Sequence, residues 1–167
     1  MAIHTTQISP CLWFDSQAEE AANFYVSIFK DGRIGAVSRY GNEGQEIHGR
    51  KPGSVMTVEF WLDGLKFTAL NGGPLFTFTE AISLQIHCPT QADVDHFWAQ
   101  LTAGGDPKAQ QCGWLKDRFG VSWQVIPAGM AALLGSPDVV KAQRAMKAML
   151  QMKKLDLAAL QRAFDGV

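Results

Sequence analysis

Cysteine is scarce in this chain, and what there is does not pair. The sequence holds three, Cys11, Cys88 and Cys112. An odd number without CxxC spacing argues against a disulfide framework and against a zinc knuckle, and predicts reduced thiols. An excess of one charge is missing as well. Lys and Arg total 15 against 16 Asp and Glu, for a net charge of -1, and the basic residues are scattered until the C-terminal segment. No basic stripe exchanges counterions with nucleic acid, so none is expected as a partner. Apolar runs long enough to span a bilayer are absent, and MAIHTTQISP lacks the basic-then-apolar order of a signal peptide. These features predict a cytoplasmic protein with no membrane partner.

What is present is an ordinary globular balance, with 47% hydrophobic and 19% charged residues over 167 positions. That length suits one well-buried domain, or two small halves sharing a core. Ile8 to Phe14 reads as a strand, and Gln17 to Lys30 carries Ala21, Phe24, Tyr25 and Ile28 at helical spacing. Asp31-Gly32 closes that helix with a residue suited to positive φ. Ile34 to Tyr40 is a second strand, and a polar, Gly-rich loop runs from Gly41 to Gly53. Val55 to Leu62 alternates, with Met56, Val58, Phe60 and Leu62 on one side and Thr57, Glu59 and Trp61 on the other. Asp63-Gly64 then predicts a hairpin into Leu65 to Leu70.

The grammar restarts at Ile82. Ser83 to Cys88 reads as a strand, followed by a helix from about Gln91 with Val94, Phe97, Trp98 and Leu101 on one face. Setting Phe24-Tyr25 over Phe97-Trp98 brings Ala21 over Val94, Ile28 over Leu101 and Gly32 over Gly105 without a gap. Gln111 to Leu115 and Val121 to Ile126, joined by KDRFG, supply the last strands of a second βαβββ unit. The expected fold is therefore α+β: two βαβββ units, about 8-73 and 82-127, packed as an incomplete barrel whose concave face is a pocket. Residues 1-130 form this domain and 131-167 a helical extension. In that extension Ser136 is the expected cap of a helix with Pro137 in its first turn, and Asp156 caps a second one. Val139, Val140, Ala142, Ala145, Met146, Met149 and Leu150 make an apolar face that must cover something.

The duplication, the phrase CLWFDSQAEEAANFY, and above all NGGPLFTFTEAISLQIHCPTQADVDHFW followed by QCGWLKDRFGVSWQVIP closely resemble the PhnB-like branch of the vicinal oxygen chelate superfamily. MLQMKKLDLAAL is similar to the usual ending of this branch. The superfamily also holds glyoxalase I, bleomycin-resistance proteins and extradiol dioxygenases, and proteins of this branch often carry the name 3-demethylubiquinone-9 3-methyltransferase. The resemblance implies a homodimer. It also implies, for metal-using members, four ligands, mainly His and Glu, projecting from strands of both units. Those places fall here on Pro10 or a neighbour, near Thr68, on Ser83 or the adjacent Ile82, and on Gln124, four residues after Gly120. None is His, Glu or Asp, so the expectation is a pocket with no metal and no cofactor. Gln124 is then the neutral remainder of a ligand position.

The pocket candidates are Trp13, Glu59, Trp61, Thr68, Asn71, Ser83, His87, Cys112, Trp114 and Gln124. Glu59 offers an acid or base, or else pairs with a lysine at a sheet edge. His87 is the one histidine on a predicted strand; His48 lies in the polar loop, His96 on the helix and His4 at the terminus. Cys112, near Lys116 and Arg118, invites a nucleophile reading, although strand cysteines are usually small buried hydrophobes. Trp13, Trp61, Trp114 and Trp123 offer apolar walls for a flat ligand. Asn71-Gly72-Gly73-Pro74 reads as a tight connection rather than a nucleotide-cofactor turn, because it opens no helix. The leading expectation is a protein that binds a small organic molecule, with catalysis undecided. The alternatives are a metal-dependent lyase or dioxygenase, a methyltransferase, and a sequestering protein of the bleomycin-resistance kind.

Overall fold

The computed structural model describes residues 8–167 and divides into two compact units, one ending at Thr77 and the other spanning Phe78–Val167. In the first, β1 (Cys11–Phe14) leads into α1 (Ala18–Ile28), β2 (Arg33–Arg39), the single turn α2 (Gln45–His48), β3 (Val55–Leu62) and β4 (Leu65–Asn71). The sheet order is β1-β4-β3-β2, with β1 parallel to β4 and the other pairs antiparallel. The alternation of β3 is as expected, with Val58, Phe60 and Leu62 buried. Asp63 (φ 47) and Gly64 (φ 73) both take the left-handed conformation that a two-residue hairpin turn requires. The Asp31 carboxylate accepts the amides of Asp63 and Gly64 at 3.0 and 3.1 Å, tying the end of the helical connection to the hairpin.

Helix α1 buries Ala18, Ala21, Ala22, Tyr25 and Ile28, the stripe that its spacing dictates. Small residues let the helix approach the sheet closely, and Tyr25 then stacks near Phe60 (centroids 6.0 Å apart), which stacks on Phe67 (5.1 Å). Each such ring removed from water stabilises the unit by about 1.5–3 kcal/mol. Asn71 locks the layer. Its Oδ1 accepts from the Ala18 amide at 2.8 Å, supplying a cap that Gln17 does not, and its Nδ2 donates to the Val55 carbonyl at 3.1 Å.

The second unit runs β5 (Leu84–Cys88), α3 (Gln91–Thr102), a 3-10 turn (Pro107–Ala109), β6 (Trp114–Lys116) and β7 (Ser122–Pro127). Its sheet, β5-β7-β6, again places the first strand parallel to the last. Thr90 and Asp93 form a capping box at the start of α3. The repeat is shortened here. No strand follows α3 where β2 follows α1, and the expected strand from Gln111 begins only at Trp114, because Cys112 (φ 50) and Gly113 (φ 85) turn the chain back.

The ungapped register holds for the helices, since Ala21 and Val94, and Ile28 and Leu101, are all buried. It slips by one at the strands. Leu12 and Phe14 face α1, whereas the residues facing α3 are Ile86 and Cys88, so the connection from strand to helix is one residue shorter in the second unit. Gly32 and Gly105 do correspond, but not through positive φ as expected for Gly32. A Cβ on Gly32 would lie 2.3 Å from the Val26 carbonyl oxygen, and one on Gly105 2.1 Å from that of Lys116. Close backbone approach is what requires glycine at both places.

The C-terminal residues form α4 (Met130–Leu134), α5 (Val139–Met149) and α6 (Leu157–Asp165), packed around Leu133, Ala145 and Leu160. The cap of α5 is Asp138, which accepts from the Lys141 amide at 3.1 Å, rather than Ser136, whose hydroxyl accepts from the Asp138 amide at 3.2 Å. Asp138 is two residues nearer the helix and reaches the amide of its first turn, while the Ser136 hydroxyl bonds the amide of the cap residue itself. Asp156 caps α6 as expected, accepting from Ala159 at 2.8 Å. The expected apolar face of α5 is divided: Ala145 and Met149 pack inward, while Val139 and Val140 are 62% and 64% exposed. This segment is sewn to its own unit by Cys112 N–H to Met152 O (2.8 Å), Gly113 N–H to Lys153 O (2.7 Å) and the Gln91 side chain, which bonds Leu155 and Leu157.

Substituting Gly105→Ala should lower stability by about 1–3 kcal/mol, the cost of overpacking against an immovable carbonyl. Gly41→Ala, whose nearest atom would be 4.0 Å away, should change the urea midpoint little. Equal midpoints for the two variants would contradict the close-approach argument.

Candidate functional site

In the first unit, the side of the sheet away from α1 carries Trp13, Glu59, Trp61 and Thr68, all half-buried. Glu59 is paired: its carboxylate accepts from Lys66 Nζ at 2.5 Å. The indole of Trp61 lies across Gly35, where a Cβ would meet its ring at 2.3 Å, and the Arg33 guanidinium sits 3.7 Å from the ring centroid. Trp13 donates from Nε1 to the Gly73 carbonyl at 2.8 Å and stands edge-on to Phe76 at 5.0 Å. A Cβ on Gly72 would overlap its ring, at 2.2 Å, which explains the Gly72-Gly73 connection. Asn71 does not share the open side of the sheet with these residues. It points to the helix side of the sheet, buried, with its amide committed to Ala18 and Val55. His48 is committed too, its Nδ1 accepting the Arg50 amide at 2.9 Å while its Nε2 lies 3.2 Å from the Glu43 carbonyl.

The open side of the second sheet carries Gln85, His87, Trp114 and Gln124, with Ser83 just before β5. Two positions that the resemblance assigns to metal ligands meet here. Gln124 Nε2 donates to Ser83 Oγ at 2.7 Å, and Gln124 Oε1 accepts from Gln85 Nε2 at 3.3 Å. The amide is therefore held in a neutral cluster. The other two positions are also neighbours, the Thr68 amide donating to the Pro10 carbonyl at 3.0 Å. Strand β1 itself turns Cys11 and Trp13 to the open side, opposite to Leu12 and Phe14. His87 is exposed across from Ile126, away from the Ser83–Gln124 bond.

Asp117 orients this face, and the sequence reading did not single it out. Although only 3% exposed, it accepts on Oδ1 from the amides of Phe119 (2.9 Å) and Val121 (3.0 Å), and on Oδ2 from Trp123 Nε1 (2.8 Å). Gly120, at φ 87, closes the turn by donating to the Asp117 carbonyl at 3.0 Å. Trp123 is thereby drawn inward, 2% exposed, so it is core and not a pocket wall. Gln124 then faces the other way. An Asp three residues before a turn Gly, with Trp three beyond it, is the signal that would have revealed this arrangement.

Along the edge strand β6 lies a cleft of about 390 Å³, lined by Trp114, Leu115 and Lys116, by Ala109, Gln111 and Cys112, and by Glu80 and Ser122. The Lys116 ammonium hydrogen-bonds Glu80, and this contact holds the Glu80 carboxyl below the usual carboxylate range. Ser122 is 2% exposed and its hydroxyl has no hydrogen-bond partner among the described residues. Cys112 has its thiol 3.5 Å from the Met149 carbonyl, to which it donates. The thiol is therefore directed at a backbone carbonyl and not at a side chain that could act as a base. Burial, with the nearby Asp93 charge, pushes the Cys88 thiol up to about 11, and burial also raises Cys11. A smaller cleft of about 200 Å³ in the first unit is lined by Ser16, Glu19, Arg50, Ser54, Val55 and Asn71, with Arg50 paired to Asp15 at 3.0 Å.

The donor set does not fit a bound divalent ion. Among the described residues no three His, Cys, Asp or Glu side chains are grouped to hold a metal. Pro, Thr, Ser and Gln at the corresponding places supply at most weak neutral oxygens.

Residues 6–126 match the family model described as 3-demethylubiquinone-9 3-methyltransferase. The chain belongs to this family. It lies in the PhnB-like branch of the vicinal oxygen chelate superfamily, and a Bacillus cereus PhnB protein, itself provisionally named as that methyltransferase, is 35% identical. The match covers 74% of this chain and all of the Bacillus one, with a TM-score of 0.62. A protein from Pseudomonas aeruginosa (20% identity, 74% of this chain and 98% of that one, TM-score 0.56) shares the fold. So does the fosfomycin resistance protein FosX of Listeria monocytogenes complexed with Mn(II) and sulfate (12% identity, 80% and 98%, TM-score 0.51). No curated protein matches. Among the described residues of this PhnB-like chain, no helix is long and apolar enough to cross a membrane.

Replacing Asp117→Ala leaves two amides and an indole N–H in the interior without their acceptor, and should cost about 3 kcal/mol or more. Chemical denaturation with Trp fluorescence reads this directly. A loss no larger than that of an exposed-residue variant would show that Asp117 does not pin the turn.

Proposed function

We propose that this PhnB-like protein binds a small organic molecule in a mainly apolar site without a catalytic metal. The observation that carries the reading is the cleft beside β6, whose walls include Trp114, Leu115 and Cys112, on a sheet whose open side presents the neutral Ser83–Gln124–Gln85 cluster. Its volume, about 390 Å³, falls within the range of small-molecule sites. Trp13, Glu59, Trp61 and Thr68 on the open side of the first sheet, and His87 on the second, are further candidate contacts. Glu59 brings its lysine partner with it, so it offers an ion pair rather than a free base.

Methyl transfer, the activity in the family's description, would need a methyl donor held by this chain. The Gly72-Gly73 connection is occupied by the Trp13 ring and opens no helix, so it supplies no phosphate or nucleoside cradle. Elemental analysis of the tag-free protein, dialysed after exposure to Zn, Ni, Mn and Fe, should find far less than one equivalent of any metal. Stoichiometric retention would overturn the metal-free reading and bring a lyase or dioxygenase forward. Heat released on titrating the same preparation with S-adenosylmethionine would instead favour the methyltransferase.

A cytoplasmic homodimer completes the reading. The family resemblance supports it, and so do the outward-facing Val139 and Val140 of α5 and Leu150 at its C-terminal end, apolar side chains that a second subunit would cover. Light scattering coupled to size exclusion should return twice the chain mass of 18.3 kDa. A mass of one chain across the accessible concentration range would contradict it.

A further inference from the structure

We infer that the cleft beside β6 takes a small carboxylate with a short apolar body, its carboxylate replacing Glu80 on Lys116 and a polar group on the body meeting Ser122. The inference rests on the small-molecule reading above and deepens it by naming the ligand class.

Three observations converge on that chemistry. The first is the cation. Lys116 belongs to strand β6 and its side chain is 25% exposed, whereas its partner Glu80 comes from the irregular segment before β5 and is 62% exposed. The anchored member of the pair is the lysine. An exposed carboxylate on a loop holds it only weakly, since surface pairs carry little net free energy. A ligand carboxylate that also buries apolar surface has the advantage over Glu80, and two carboxylates around one ammonium repel, so binding one releases the other.

The second observation is the apolar wall. Trp114 and Ala109 lie beside the cation and give a flat or short aliphatic body something to cover. Strand β6 is the edge of its three-stranded sheet, so no neighbouring strand of this sheet closes that side. The volume of about 390 Å³ suits a monocyclic or short-chain molecule and not a dinucleotide.

The third is Ser122, a residue of the cleft lining whose hydroxyl is closed off from solvent and without a hydrogen-bond partner among the described residues, so a ligand must open the lining there to reach it. Buried polar groups are normally satisfied, and a hydroxyl serves equally as donor or acceptor. It meets a polar substituent of either kind.

The test uses benzoate, its neutral isostere benzamide, and 3-hydroxybenzoate, titrated into the full-length protein and followed by calorimetry and by Trp fluorescence. Benzoate should bind more tightly than benzamide. Glu80→Gln, an exposed change that leaves the fold intact, should tighten benzoate about two- to fivefold, the range of a surface ion pair, with no effect on benzamide. Lys116→Met, which keeps the alkyl stem, should erase the difference between benzoate and benzamide, and Lys116→Arg should restore it. Ser122→Ala should remove any preference for 3-hydroxybenzoate over benzoate. Equal binding of benzoate and benzamide, or a Glu80→Gln variant with unchanged benzoate affinity, would overturn the carboxylate inference while leaving the small-molecule reading standing. Failure of every probe to bind would overturn the inference and remove the cleft from that reading as well.

Discussion

The carboxylate of Asp117 lies almost wholly inside the second unit, and three N–H groups converge on it, from Phe119, Val121 and Trp123. Such a group would be costly to bury with fewer partners. Here it joins the turn to the strand that follows. Because side chains alternate along a strand, drawing the Trp123 indole inward leaves Ser122, Gln124 and Ile126 on the other side, and a shift of one residue would exchange the two sets. The neutral cluster around Gln124 and the Ser122 hydroxyl, which has no partner among the described residues, both inherit their positions from this one contact.

The two units share a plan and part company at one strand. In the first, β2 lies along β3, and the Trp61 ring lies against Gly35 with the Arg33 guanidinium 3.7 Å from its centroid. In the second, the segment after α3 is a 3-10 turn and a reversal through Cys112 and Gly113, both at positive φ, so β6 keeps a free edge. The same architectural place is thus an aromatic and cationic stack in one unit and a cleft in the other. The reversal is held by backbone bonds to Met152 and Lys153. The C-terminal segment therefore supports one wall of the cleft, in addition to forming its own core around Leu160.

Membership of the PhnB-like branch brings a fold whose metal-using members place ligands on strands of both units. The resemblance assigns those places here to Pro10 or a neighbour, near Thr68, to Ser83 or Ile82, and to Gln124, and the Gln124 side chain donates to that of Ser83. An amide oxygen bonded to a neighbouring amide, and a serine accepting from that same side chain, offer no set of charged donors to a cation. What remains is hydrogen-bonding capacity and aromatic surface, suited to recognition of an organic molecule.

Much of this was legible in the chain. The period-2 pattern of Val55 to Leu62, the Asp63-Gly64 turn, the helical stripes ending at Ile28 and Leu101, and the Asp156 cap are local signals, and each follows from backbone geometry acting on nearby residues. The resemblance to PhnB-like proteins, carried by the motifs themselves, added the family. Other features depended on residues distant in sequence. The slip of one between the strands of the repeats, the commitment of Asn71 to Ala18 and Val55, and the inward turn of Trp123 arise from packing and from partners that no local window contains. So the sequence by itself determined the elements, the repeat and the family resemblance. Only the tertiary structure decided which face each polar side chain uses and left Lys116, Glu80 and Ser122 around one cleft, because hydrogen bonds between distant segments set strand phase where local propensity is indifferent.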